Sequence, residues 1–123
     1  MGVTTYPNRG DEVLIDADWM PDDFAGYPGR LIDWWNGWAC WDCTREVAER
    51  VAVDQNALYE SDPEMYPATF RWEGDVLIRH DHDHEDEPDA HDDRHGPTPE
   101  GRYSFGWDWC WDIHQTTMEA LNP

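Results

Sequence analysis

Nine tryptophans in 123 residues, in a chain with a formal net charge of -20, set the terms on which it can fold. Leu, Ile, Val and Phe supply only eighteen residues, about 15% of the chain. So low a count beside so large a charge is ordinarily the composition of a disordered segment. Tryptophan reverses that expectation. A buried aromatic withdraws roughly 150–250 Å² from water, so nine indoles at about 25 cal/mol per Å² offer on the order of 35–55 kcal/mol before entropy is subtracted. The chain folds only if most of its indoles are core.

The charge narrows the function classes. Asp and Glu number 28 against eight basic residues, all of them Arg. Binding to nucleic acid by counterion release needs Lys or Arg facing phosphate, so a basic nucleic-acid binder is excluded by sign, and an anionic membrane repels the same surface. The absence of Lys points to a GC-rich genome or to adaptation to high salt. No apolar run approaches the ~20 residues of a membrane helix, and the first residues lack the basic-then-apolar order of a signal peptide. Three Cys are too few for a secreted disulfide framework and fit a reducing compartment. A cytoplasmic protein is expected, or a virion component if its role is structural.

Periodicity places the elements. Residues 12–19 alternate as a strand with Val13, Ile15, Ala17 and Trp19 on one face. Residues 31–42 fit a helix stripe or a hairpin about Asn36-Gly37. The hairpin is preferred because Asn-Gly suits a type I′ turn and Gly inside a helix costs on the order of 1 kcal/mol. It puts Ile32, Trp34, Ala39 and Trp41 on one face. Residues 44–59 are helical, with Val47, Val51 and Leu58 inward, Thr44 or Asp42 as the cap and a Glu46/Arg50 pair. A second hairpin turns at Gly74, and residues 85–101 have no apolar periodicity and are expected as an exposed loop. Residues 102–113 are the clearest strand, with Tyr103, Phe105, Trp107, Trp109, Trp111 and Ile113 on one face. The expected fold is α+β: a small single domain spanning 1–123, with an antiparallel sheet built from hairpins and the Trp-rich C-terminal strand, and one main helix packed on one face.

Candidate chemistry is sparse. Cys40-x2-Cys43 with Cys110-x3-His114 supplies four ligands of the type a tetrahedral zinc site uses; against this, small buried thiols in Trp-rich strands are the plainer expectation. His80, His82 and His84 alternate with acids, a pattern that fits either a divalent-metal face or a solvated acidic tract. No G-x-S-x-G, phosphate loop or H-E-x-x-H occurs, and Asp108 with Asp112 beside Trp109 is a carboxylate pair that 28 acids produce by chance. No enzyme and no cofactor are expected, zinc being the alternative.

Residues 81–93 hold eight acids in thirteen positions, yet removing 80–95 still leaves 20 acids against seven Arg. The acidity belongs to the whole surface. The expected function is a non-enzymatic acidic binding protein whose carboxylates replace nucleic-acid phosphates in the basic groove of a protein partner, as an inhibitory nucleic-acid mimic of viral type would. Its candidate contacts are Trp35 and Trp38 as anchors, with Asp81, Asp83, Glu85, Asp86, Glu87, Asp89, Asp92 and Asp93. The alternatives are a structural or assembly protein from a salt-adapted or GC-rich source, and a small zinc-stabilised domain.

Overall fold

The alternating segments form strands and the one helical stripe forms a helix. In the computed structural model, which describes residues 8–17, 20–21, 23–35, 38–82, 92–106 and 111–114, the order is β1 (Glu12–Asp16), β2 (Tyr27–Trp35), β3 (Trp38–Cys43), α1 (Arg45–Ser61), β4 (Ala68–Glu73), β5 (Val76–Asp81), β6 (Asp93–His95), β7 (Tyr103–Phe105) and β8 (Asp112–Ile113). The fold is α+β, with two antiparallel sheets where one was expected. A five-stranded sheet runs β7-β3-β2-β1-β8 and a three-stranded one β4-β5-β6. The chain divides accordingly into two compact units, residues 1–44 with 104–123, and residues 45–103.

In the first unit β2 and β3 pair antiparallel as the expected hairpin does, with Trp35 opposite Trp38, Trp34 opposite Ala39 and Leu31 opposite Trp41, while Asn36 and Gly37 lie outside the described residues. The register shifts between Leu31 and Asp33. A bulge resets side-chain parity, so Leu31 turns inward at 2% exposure while Ile32, expected in the core, is 42% exposed. Tyr27, Trp41, Phe105 and Trp111 are buried together. The Trp41 ring lies 5.0 Å from Phe105 and 5.3 Å from Trp111, the latter crossing at 71°. Among the described residues, neither indole N–H of Trp41 and Trp111 has a hydrogen-bond acceptor. The T-shaped crossing turns the electropositive edge of one ring to the π-face of the other, which offsets part of that cost. Gly29 permits this packing, because a Cβ there would come within 2.8 Å of the Asp42 carbonyl and would collide with the Trp41 ring.

The Trp-rich C-terminal segment is not one strand. Its alternation holds, since Tyr103, Phe105, Trp111 and Ile113 are buried and Ser104 is exposed, but β7 and β8 lie at opposite edges of the sheet. Alternation reports which way side chains face, not whether a strand is continuous. Gly106, without a side chain to pack, follows β7 directly. The sheet curls far enough for the Ala39 amide in β3 to donate to the Trp111 carbonyl (2.8 Å), just ahead of β8. Trp107 and Trp109 lie outside the described residues.

In the second unit α1 buries Val47, Ala48, Val51 and Ala52, and β4 and β5 bury Ala68, Phe70, Leu77 and Ile78. Thr44 precedes the first helical residue, and Arg45 forms an i, i+4 ion pair with Glu49 at 3.2 Å. The Asn56 carboxamide closes the outer edge of β4, donating to the Phe70 carbonyl (3.0 Å) and accepting from its amide (2.7 Å). Between β4 and β5 the register pairs Glu73 with Val76, and Gly74 takes a φ of 63° in the two-residue turn. That left-handed conformation is one glycine adopts without penalty. Part of the stretch expected as loop is β6, which pairs antiparallel with β5. Its residues, Asp93, Arg94 and His95, carry no apolar side chain, so hydrophobic patterning could not reveal it. No helix among the described residues is long and apolar enough to cross a membrane.

Candidate functional site

Two surfaces bring together residues that the sequence singled out, one in each unit. On the first, the register of β2 with β3 sorts the hairpin by face. Trp34, Ala39 and Trp41 alternate with Asp33, Trp35, Trp38 and Cys40, and residues two apart on a strand share a side. Ala39 and Trp41 are core, so the outward face presents Trp35 at 73% exposure and Trp38 at 41%. Directly opposed residues have Cβ atoms roughly 4.5–5.5 Å apart, and two indoles at that spacing form a continuous apolar surface. Asp33 stands next on the same face. Its Oδ1 accepts from Arg9 Nη2 (3.1 Å) and from the Trp34 amide (2.9 Å). Asn8, Arg9, Leu31, Asp33 and Trp34 line an open cleft of about 510 Å³. Further along, Arg30 and Asp42 form a two-pronged pair, Nη2 to Oδ2 at 2.8 Å and Nε to Oδ1 at 3.2 Å, that neutralises a carboxylate buried to 3% exposure.

On the second unit the acids named as partner contacts meet cations of their own sheet. Asp92 accepts from His80 Nδ1 with one oxygen and from Arg71 Nη2 with the other, both at 2.6 Å. These two hydrogen bonds, that from His80 the larger, hold its carboxyl below the ordinary value of 3.8. Asp93 accepts from Arg79 Nη1 at 2.6 Å, and Arg79 Nη2 lies 3.6 Å from Asp81. Arg94 meets Glu73 at 3.3 Å. Each residue from 92 to 94 is thus tied by charge to β4 or β5, and these pairs, with the backbone ladder to β5, dock a strand that has no apolar side chain. Asp81, Asp92 and Asp93 hold the sheet together rather than standing as unengaged carboxylates. Asp83, Glu85, Asp86, Glu87 and Asp89 lie outside the described residues.

His80 and His82 do come together, their rings 4.6 Å apart and nearly perpendicular. A ring nitrogen of each already has a protein partner. His80 Nδ1 is on Asp92, and His82 Nε2 shares a hydrogen bond with the Thr69 hydroxyl (2.9 Å) while its ring stacks on Tyr59 at 4.7 Å. His84 is outside the described residues. The Cys-x2-Cys pair does not converge. Cys40 and Cys43 both lie on β3, three residues apart, which puts them on opposite faces and about 10 Å apart along the strand. Cys43 is buried on the core side with Ala39 and Trp41. Two thiolates share a metal when a turn or helix start curls the chain between them, and an extended strand does the reverse. His114 Nε2 is bonded to the Phe24 carbonyl at 2.7 Å, and Cys110 is outside the described residues. Among the described residues no group of three His, Cys, Asp or Glu side chains is arranged to hold a metal ion.

Hairpin parity already put Asp33 on the face of Trp35 and Trp38, without naming it as a contact. Sequence reasoning missed Arg9 beside it, and Arg71 and Arg79 under β6. The arginines carried no local signal, because their partners are 14 to 24 residues distant in the chain. No protein-family model, curated protein or solved structure matches this chain.

Proposed function

We propose that the protein is a non-enzymatic acidic ligand that occupies the nucleic-acid-binding surface of a basic protein partner. Each unit is acidic by itself: the first has 11 carboxylates against two Arg, the second 17 against six. A basic partner meets the same sign of charge on either, which steers encounter and fits a groove built for phosphate.

The observation that carries this reading is the exposed Trp35–Trp38 pair. A carboxylate coat kept for solubility or salt tolerance alone gains nothing from two indoles at 73% and 41% exposure on one face, with Ile32 also exposed on the same hairpin. An interface does gain, because aromatic anchors inside a polar rim supply most of the energy of association while the surrounding charges set its rate and specificity.

Competition is the test. Proteins from the host extract captured on the immobilised chain should release with short duplex DNA, and their affinity for this chain should fall steeply with salt, since exposed charges are screened over ~8 Å at physiological ionic strength. A captured partner that binds duplex DNA and this protein simultaneously, with undiminished affinity for each, excludes mimicry. The structural, salt-adapted reading then leads.

A further inference from the structure

We infer that the outward face of the β2–β3 hairpin takes an arginine side chain of that partner, its guanidinium lying against the Trp35 and Trp38 rings with the Asp33 carboxylate beside them. The inference rests on the acidic-ligand reading and adds to it the chemistry of the group that is bound.

Three observations converge. The first is the arrangement itself. Trp35 faces Trp38 across the ladder, and Asp33 follows two residues away on the same side, roughly 7 Å along the strand. An indole face attracts a cation through its quadrupole, and a carboxylate within reach of the same cation supplies the hydrogen-bond acceptor. The second is that a guanidinium already reaches this carboxylate. Arg9 donates to Asp33 Oδ1 at 3.1 Å from a side chain that is 77% exposed, and Asp33 is 43% exposed. So open an ion pair contributes little and yields readily to an incoming arginine. The third is that the chain builds the same combination elsewhere: Arg45 sits with Cζ 3.9 Å from the centre of the Trp72 ring while its Nε donates to Glu49 at 3.2 Å. Indole, guanidinium and carboxylate thus combine within the second unit in the way proposed for the hairpin and a partner.

The chemistry distinguishes arginine from lysine. Guanidinium is planar and weakly hydrated, so it stacks on an indole and still presents edge donors to a carboxylate; an ammonium is a compact, strongly hydrated charge that surrenders more water to do either. A surface of unstructured acidity would treat the two alike.

The experiment uses two synthetic peptides of equal length and charge, one of Gly-Arg repeats and one of Gly-Lys repeats. Each is titrated into the full chain by calorimetry at 50 and 150 mM NaCl. The arginine peptide should bind about fivefold more tightly, in line with roughly 1 kcal/mol for a cation on an exposed aromatic face. The Trp35→Ala, Trp38→Ala double variant should bring the two peptides within twofold of each other while leaving the lysine peptide unmoved. The single Trp35→Ala variant, at the more exposed ring, guards against a folding defect and should reduce the preference in part. Arg9→Gln should raise the ratio of arginine to lysine affinity about twofold, because it removes the internal competitor. Its effect on net charge acts on both peptides and cancels in the ratio. Equal affinities in the unaltered chain, or a preference that survives the double variant, overturn the arginine site and leave the acidic-ligand reading standing. Failure of both peptides to bind even at 50 mM NaCl overturns the reading on which the site rests.

Discussion

The two units bury apolar surface by different means under the same burden of charge. The first closes a curled sheet around Tyr27, Trp41, Phe105 and Trp111, with aromatic rings 5.0–6.4 Å apart. The second has a smaller, mainly aliphatic core between α1 and β4–β5, and the side chains that fix β6 on its ladder with β5 do so by ion pairs: Asp92 to Arg71 and His80, Asp93 to Arg79, Arg94 to Glu73. The distribution of arginine follows. Six of the eight lie in the second unit, three of them, Arg71, Arg79 and Arg94, holding its edge, and two in the first. A chain poor in aliphatic residues can therefore be completed by large rings or by counter-charges, and the two solutions differ in their response to truncation, pH and salt.

Truncating the aromatic core should have the largest effect. Trp41→Ala removes a side chain at 0% exposure that meets three other rings, and a loss of about 3–5 kcal/mol is expected in urea unfolding, the range for large aromatic truncations. A loss under 1 kcal/mol would mean the rings are not what holds this unit. Gly29→Ala should cost about 2–3 kcal/mol by the converse route, since the added methyl meets both the Trp41 ring and the Asp42 carbonyl and neither can retreat.

Breaking an ion pair in the second unit should cost less. Arg79→Met keeps the buried stem of the side chain but takes the guanidinium away from Asp93 and Asp81, and about 2 kcal/mol is expected because both carboxylates are partly solvated, at 35% and 27% exposure. The loss should concentrate in β6, as increased amide exchange there. Asp92→Asn should cost about 1 kcal/mol at neutral pH, and its pH dependence has a definite sign. A carboxyl held below 3.8 in the folded chain adds stability that is fully present above that value and is lost as pH falls through the lower, folded one. An acid titration followed by exchange at β6 should therefore show its protection failing below about 3.8 in the native chain, with Asp92→Asn lacking that component. The smallest effect belongs to Trp35→Ala, within about 0.5 kcal/mol, as expected for an exposed position.

How far the sequence disclosed this structure depends on whether a feature was local. The β2–β3 hairpin, the turn at Gly74 and α1 were legible because Asn-Gly, a left-handed glycine and a 3.6-residue stripe each act within a few residues. Ile32 was placed on the wrong face because a bulge shifts parity without any mark in the pattern. The Trp-rich segment kept its alternation across two strands at opposite sheet edges, which no one-dimensional pattern distinguishes from one strand. β6 was read as loop because its docking is electrostatic and its partners, Arg71, His80 and Arg79, lie on other strands. At the candidate site, hairpin parity put Trp35 and Trp38 on one face, and both are exposed there. Cys40 and Cys43 suggested a ligand pair only while their backbone was undetermined, and the extended geometry of β3 separates them.

Amide hydrogen exchange at 50 mM and 1 M NaCl tests most directly the claim that one unit is held by rings and the edge of the other by charge. Added salt relieves self-repulsion of the whole chain while it screens partly exposed ion pairs. The account predicts that amides of β3, beside Trp41, keep or gain protection at 1 M NaCl, and that those of β6 lose it relative to β5. Protection of β6 that rises in step with β3 would contradict the account, since an edge held by charge cannot gain from screening as the aromatic core does.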